Sequence, residues 1–166
     1  MRVIHLLRHA KSSWADDTLA DHERPLAKRG VRDAKRMAAH LLALHVEPDL
    51  VLCSPAARTR MTWHEVAVGL VEGGAEAQAS VRYAAPLYES GVNAALGLIR
   101  AVDDEVETVL LVGHNPTVSA LSSRLDDRSD RAAAGLRTSG IAVHTIEASW
   151  ADLATAGLVE SFTARG

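Results

Sequence analysis

Short, unbroken apolar runs alternate along this chain with stretches whose apolar residues recur every three or four positions. Residues 3–7 (Val-Ile-His-Leu-Leu), 50–53, 108–112 and 141–146 are runs of the first kind and predict strands. Runs that stay apolar instead of alternating belong to strands covered on both faces. Between them, Val31, Ala34, Met37, Ala38, Leu41 and Leu42 follow helical spacing, with Arg29, Arg32, Lys35 and Arg36 on the opposite side. Ala95, Leu98, Ile99 and Val102 repeat the spacing, as do Val118, Leu121, Ser122 and Leu125. Residues 55–70 predict a further, less cleanly periodic helix. Strands separated by helices imply βαβ units, so the expected fold class is α/β, a three-layer αβα sandwich with a mostly parallel central sheet. Segments 11–27, 72–85 and 126–140 read as irregular. No repeat or linker divides the chain, and the expectation is one domain over residues 1–166.

Composition narrows the function classes. Of 166 residues, 48% are hydrophobic and 23% charged, the balance of a chain able to bury a core. Eighteen basic residues against twenty-one acidic ones leave a net charge of -3, which argues against a general nucleic-acid binder. A single cysteine, Cys53, excludes an intramolecular disulfide framework and a Cys-rich zinc module. The apolar run near Met1 is too short for a signal segment or a membrane span, so the expected setting is cytoplasmic, without membrane association. Eight histidines are many for this length.

The chemistry gathers where strands end. In open α/β sheets, ligand sites lie outside the carboxyl ends of the strands. Arg8-His9 follows the first predicted strand, Ser54-Pro55-Ala56-Ala57-Arg58 the second, and Gly113-His114-Asn115-Pro116 the third. Two arginines and two histidines thus point toward one sheet edge, and no strand end delivers a carboxylate. Arginine presents a planar fork of donors matched to phosphate oxygens and keeps its charge. Histidine binds phosphate when protonated and attacks phosphorus when neutral. Helix N-termini after Pro55 and Pro116 add backbone N–H groups for an anion. A small cationic phosphate pocket fits this set. By residue physics either His9 or His114 could be the nucleophile, since each ends a strand.

Taken together and in order, Arg8-His9, Ser54-Pro55-x-x-Arg58 with Thr62 following, and Gly113-His114-Asn115-Pro116 resemble the histidine phosphatase (phosphoglycerate-mutase-like) superfamily. Arg8-His9-Ala10-Lys11-Ser12, Asp21-His22-Glu23-Arg24-Pro25-Leu26 and the short length are similar to its small SixA-like phosphohistidine phosphatase branch. The resemblance implies a phosphoglycerate-mutase-like fold and a phosphatase that forms phosphohistidine on His9. It implies Arg8 and Arg58 as grips on the phosphoryl oxygens and His114 as a further donor. Water attack on phospho-His9 would then release phosphate. No metal or cofactor enters that scheme, because two guanidiniums and an imidazolium can stabilise the transferring group. Relatives acting on phosphate esters place an acid after a Leu-x spacing, and Leu87-Tyr88-Glu89 makes Glu89 the candidate. An alkoxide needs that proton, whereas a phosphohistidine can leave as an already protonated ring.

The favoured substrate is therefore a phosphohistidine protein. The alternatives are a small-molecule phosphomonoesterase using Glu89 and a non-catalytic phosphate- or phosphoprotein-binding module. Ser54 serves equally well as a helix cap or a phosphate contact. Thr62 reads as packing, Arg60 as a solvated charge, and His22 as a solvated loop residue, with a place facing the pocket as the alternative. His64-Glu65 lacks the second histidine of a helical zinc motif, and His5, His40, His45 and His144 read as structural. Trp14, Trp63 and Trp150 read as core or rim. Ala27 stands where a capping Ser, Thr or Asn would stabilise the next helix by about 1 kcal/mol.

Overall fold

The computed structural model describes residues 1–76, 79–126 and 135–165. Residues 127–134, part of the irregular stretch expected at 126–140, lie outside the described residues. The chain runs β1 (Arg2–Arg8), α1 (Lys28–Ala43), β2 (Leu50–Cys53), α2 (Ala57–Glu72), β3 (Ser80–Tyr83), α3 (Pro86–Glu89), α4 (Val92–Arg100), β4 (Thr108–Gly113), α5 (Thr117–Leu125), β5 (Gly140–Ile146) and β6 (Gly157–Thr163). A 3-10 turn, Asp21–Glu23, interrupts the long connection between β1 and α1.

One six-stranded sheet, in the order β3-β2-β4-β1-β5-β6, organises these elements. Strands β3, β2, β4 and β1 are parallel, while β5 runs antiparallel to β1 and β6 antiparallel to β5. The fold is mixed α/β with helices on both faces, in agreement with the expected layering. Alternate residues of the central strands feed two cores. Ile4, Leu6, Leu52, Val109 and Leu111 pack with Leu96 and Ile99 of α4 and Leu121 and Leu125 of α5. Leu7, Val51, Cys53, Leu110 and Val112 pack on the other face with Met37 and Leu41 of α1 and Trp63 and Val66 of α2. Burial on both faces explains the unbroken apolar runs.

The antiparallel half follows from where the chain re-enters the sheet. Ser139 N–H donates to the His9 carbonyl at 3.1 Å, so β5 begins beside the carboxyl end of β1 and must run back along it. An antiparallel partner needs no helical crossover, and β6 follows without one. Two strands differ from the sequence expectation. β3 lies within the stretch read as irregular, and all four of its residues are exposed. β6 is an edge strand of mixed polarity that no apolar run announces.

The three tryptophans divide as core and rim: Trp150 is fully buried, Trp63 of α2 is buried in the core shared with α1, and Trp14 is exposed. Helix α1 starts after Ala27 with no side-chain cap, as its sequence implies. Among the described residues, no helix is long and apolar enough to cross a membrane.

Candidate active site

The parallel half of the sheet carries its three central strands, β2, β4 and β1, to one edge. The strand ladder continues a step past their ends: His9 N–H donates to the Gly113 carbonyl at 3.0 Å and Ser54 N–H to the Val112 carbonyl at 3.0 Å. Arg8, His9, Ser54 and His114 are thereby placed by backbone hydrogen bonds before any side chain is considered. Arg58 arrives from the first turn of α2 and is buried. Arg8, His9, Ser54, Arg58 and His114 are brought together at this edge.

His9 is 8% exposed, and its Nδ1 lies 2.7 Å from the Ala10 carbonyl oxygen. A carbonyl can only accept, so Nδ1 carries the proton and Nε2 keeps a free lone pair. Burial, opposed by the Ala10 bond and reinforced by the nearby Arg58, Arg8 and Arg24 charges, lowers the His9 pKa to about 4. The ring is neutral at physiological pH. The backbone beyond it is tied to α2: Ala10 N–H donates to Thr62 Oγ1 at 3.0 Å, and Thr62 donates to the Arg58 carbonyl at 2.6 Å. Thr62, expected as plain packing, fastens the His9 loop to the helix bearing Arg58.

The two guanidiniums are held from behind. Arg8 Nη1 donates to the Leu136 carbonyl at 2.9 Å. Arg58 donates through Nη1 to the Asp21 carbonyl at 2.7 Å and through Nη2 to Asp21 Oδ2 at 3.0 Å. Each guanidinium has five N–H donors, and these contacts leave terminal N–H groups on both for an oxyanion. Asp21 also accepts from Arg24 Nε at 3.2 Å and Nη2 at 3.0 Å, and from the Tyr88 hydroxyl at 2.9 Å. Partial burial works against the Asp21 carboxylate, yet the bonds from Tyr88, Arg58 and Arg24 carry its pKa down to about 2.

His114 closes the group. Its ring centroid is 5.2 Å from that of His9, and its Nε2 lies 2.7 Å from Ser54 Oγ. Burial first, then the Arg58 and His9 charges, lower its pKa to about 3 against the opposing pull of Asp21. The residue pattern suggested an imidazolium at this position. The ring is neutral instead, because a desolvated cation beside Arg58 is unfavourable. Ser54 is fully buried; its Oγ accepts from Ala56 N–H at 3.4 Å as well as meeting His114, while the N-cap residue of α2 is Ala56, with no side-chain cap bond of its own. Asn115 does not cap α5 either: it donates to the Leu136 carbonyl at 2.8 Å and accepts from Ser119 at 2.7 Å.

Glu89 is exposed at the end of α3, while its neighbour Tyr88 turns toward the site, ring edge to His114 with centroids 5.5 Å apart. Asp21, Arg24 and Tyr88 are the site-lining residues that sequence reasoning missed. Asp21 and Arg24 fall in the Asp-His-Glu-Arg-Pro-Leu segment, so the signal was present but unassigned. His22 is exposed, with its ring 6.3 Å from that of Tyr88. Other histidines have local partners: His40 Nε2 is 2.8 Å from Glu160, and His144 Nε2 is 2.9 Å from Ser122 Oγ. Cys53 is buried, and desolvation raises its thiol pKa to about 12, which makes it inert as a nucleophile. Among the described residues, no three His, Cys, Asp or Glu side chains are grouped to hold a metal ion.

Comparison with known proteins gives a consistent picture. The family model for the histidine phosphatase superfamily (branch 1) matches residues 4–81. The uncharacterized protein Rv1276c of Mycobacterium tuberculosis is 41% identical over 89% of this chain and 91% of its own length. A solved structure assigned as the phosphohistidine phosphatase SixA of Nakamurella multipartitia is 33% identical, covers 98% of this chain and 96% of that one, and superposes with a TM-score of 0.81. Its counterpart from Agrobacterium tumefaciens is 32% identical over 97% of both chains, with a TM-score of 0.79.

Proposed function

Because this chain belongs to the histidine phosphatase superfamily, as a phosphatase of its SixA-like branch, we propose that it hydrolyses protein-borne phosphohistidine through a phosphoryl intermediate on His9. The observation that carries this reading is the state of His9: a neutral, buried ring with its proton committed to the Ala10 carbonyl and Nε2 free, in the field of the Arg58 and Arg8 charges. A binding module would gain nothing from holding an uncharged imidazole in that tautomer. Arg8 and Arg58 take the phosphoryl oxygens as Nε2 attacks phosphorus, stabilising the charge that spreads over them in the transition state. His114, oriented by Ser54, is a third polar group against the oxygens. Water then attacks phospho-His9 in the reverse sense and phosphate leaves. Residues 1–166 act as one domain in this reading, with a phosphorylated protein as the partner.

The phosphomonoesterase alternative needs Glu89 at the leaving oxygen. Glu89 is exposed at the end of its short helix, and Tyr88 is the member of that turn bonded into the site. That arrangement favours a substrate that does not ask the protein for a proton.

The test is chemical trapping. The enzyme is mixed with a labelled phosphohistidine protein, quenched and digested. Acid-labile, alkali-stable label on the His9 peptide is expected, with turnover abolished in His9→Ala. Absence of label, with hydrolysis surviving in His9→Ala, overturns the mechanism.

A further inference from the structure

Tyr88 and Asp21 stand beside the phosphoryl grips without a part in the transfer itself. The Tyr88 hydroxyl donates its proton to Asp21 Oδ2 at 2.9 Å, so Oη is left as an acceptor with two lone pairs, one of them facing Arg58 and the other open to a ligand. The same ring meets the edge of His114 at 5.5 Å and lies 5.9 Å from the Arg58 guanidinium carbon. Asp21 itself has no acceptor capacity to spare. Arg24 takes Oδ1 through two N–H groups, and Arg58 and Tyr88 take Oδ2. The carboxylate therefore acts through Tyr88, polarising its oxygen as an acceptor backed by negative charge. In-line displacement places the leaving atom opposite the attacking His9 nitrogen, on the side open to the substrate. Asp21, with half of its side chain exposed, marks that open side.

We propose that the Tyr88–Asp21 pair is a leaving-group subsite in which Tyr88 Oη accepts the ring N–H of a protonated phosphoimidazole, selecting phosphohistidine over phosphate esters. The inference rests on the phosphatase reading above and adds the group that chooses its substrate. The atoms balance without a proton from the protein. The His9 Nε2 pair forms the new P–N bond, and the substrate's P–N bond breaks with its pair returning to the ring. The ring enters as an imidazolium and leaves as neutral imidazole, still carrying the N–H held by Tyr88. An ester gains nothing there. Its alkoxide needs a proton, and the Asp21 bond makes Tyr88 a weaker acid than a free tyrosine. The charged and titratable groups around Tyr88 are Asp21 and His22 of the loop before α1, Arg58 of α2 and His114 after β4.

The experiment compares wild type, Tyr88→Phe and Asp21→Asn on a phosphohistidine peptide and on p-nitrophenyl phosphate, whose leaving group needs no proton. Tyr88→Phe keeps the ring and removes only the hydroxyl. Its preference for the peptide, as the ratio of kcat/KM values, is expected to fall about tenfold, the size of one charge-assisted hydrogen bond. The alkaline limb of the peptide's pH profile should move to lower pH, because the bound ring loses its help in staying protonated. Asp21→Asn should move both in the same direction. An unchanged ratio in Tyr88→Phe overturns the subsite, whether both activities fall together or neither falls. Label trapped on His9 in that case leaves the phosphatase mechanism standing. A wild type active on the ester but inert on the peptide overturns the substrate reading and the subsite together.

Discussion

Ser54 Oγ lies 2.7 Å from Nε2 of His114, joining the end of β2 to the end of β4 across the floor of the site. The hydroxyl is fully buried, so no water can replace it without rearrangement. Ser54→Ala leaves the imidazole nitrogen unpaired in the interior, which costs about 1–3 kcal/mol. The variant should unfold at lower urea concentration and lose about tenfold in kcat, since a loosened ring no longer meets the oxygens squarely. Normal kcat in a destabilised protein would assign Ser54 to folding alone.

Glu89→Gln should change turnover of a phosphohistidine peptide by no more than about twofold, the usual scale for an exposed side chain away from the reacting atoms. Steady-state kinetics on the peptide decide it. A loss of about a hundredfold or more, the scale of general acid catalysis, would return Glu89 to the reaction and favour the ester-hydrolysing alternative.

Gly30, on the buried face of α1, has room for hydrogen only. A Cβ there would lie 2.2 Å from the Lys11 carbonyl oxygen, which already accepts the Ala27 N–H at 2.8 Å. Gly30→Ala improves helix propensity by about 1 kcal/mol. It also drives backbone against backbone, and overpacking of that kind costs about 1–3 kcal/mol. Net destabilisation in urea titration is expected, with reduced turnover, because Lys11 lies two residues beyond His9. A stabilised variant with full activity would show that the loop yields freely.

Acid should destabilise this protein before its carboxylates titrate. Burial lowers the pKa of His5 and His9 from 6.5 to about 4 and that of His114 to about 3, with His40 adding at His5 and the site arginines at His9 and His114. The unfolded chain therefore binds more protons than the folded one between pH 6.5 and 4. Stability is fully present above pH 6.5 and falls as pH drops through that window. Urea unfolding at pH 7 and 4.5 should differ by about 3–7 kcal/mol, because each of the three rings forfeits about 1.4 kcal/mol for every pH unit below its unfolded-state pKa. Asp21, with its pKa held at about 2, does not contribute in that range. Equal stability at the two pH values would contradict burial of these rings in neutral form.

What could be read from sequence divides by where each residue's partners lie. β1, β2, β4 and β5 are buried on both faces, and burial writes itself as an unbroken apolar run. β3 is a parallel edge strand with all four residues exposed, held by backbone bonds to β2 that leave no trace in side-chain polarity. Arg8, His9, Arg58 and His114 were legible because each sits at or just past a strand end or in the first turn of a helix. Asp21 and Tyr88 were not, since they meet across sixty-seven residues of chain. Ser54 reads from sequence with two roles; its hydroxyl accepts from Ala56 N–H nearby, and the partner that sequence does not show, His114, lies sixty residues away. Local pattern carries scaffold positions well; a side chain's choice of distant partner is decided by packing.

In β1 and β4, Arg8 pairs with Gly113, so His9 and His114 each follow directly on a matched pair. Their rings sit 5.2 Å apart, close to the roughly 4.8 Å that separates any two neighbouring strands. The gauge of the reaction is thus the hydrogen-bonded spacing of a sheet, a distance that point substitution can scarcely alter. Change in what this enzyme accepts has to come from the connections that rim the edge, above all the loop carrying Asp21 and the turn carrying Tyr88. The chemistry is built into the rigid part of the architecture, and the choice of substrate into the part that can drift.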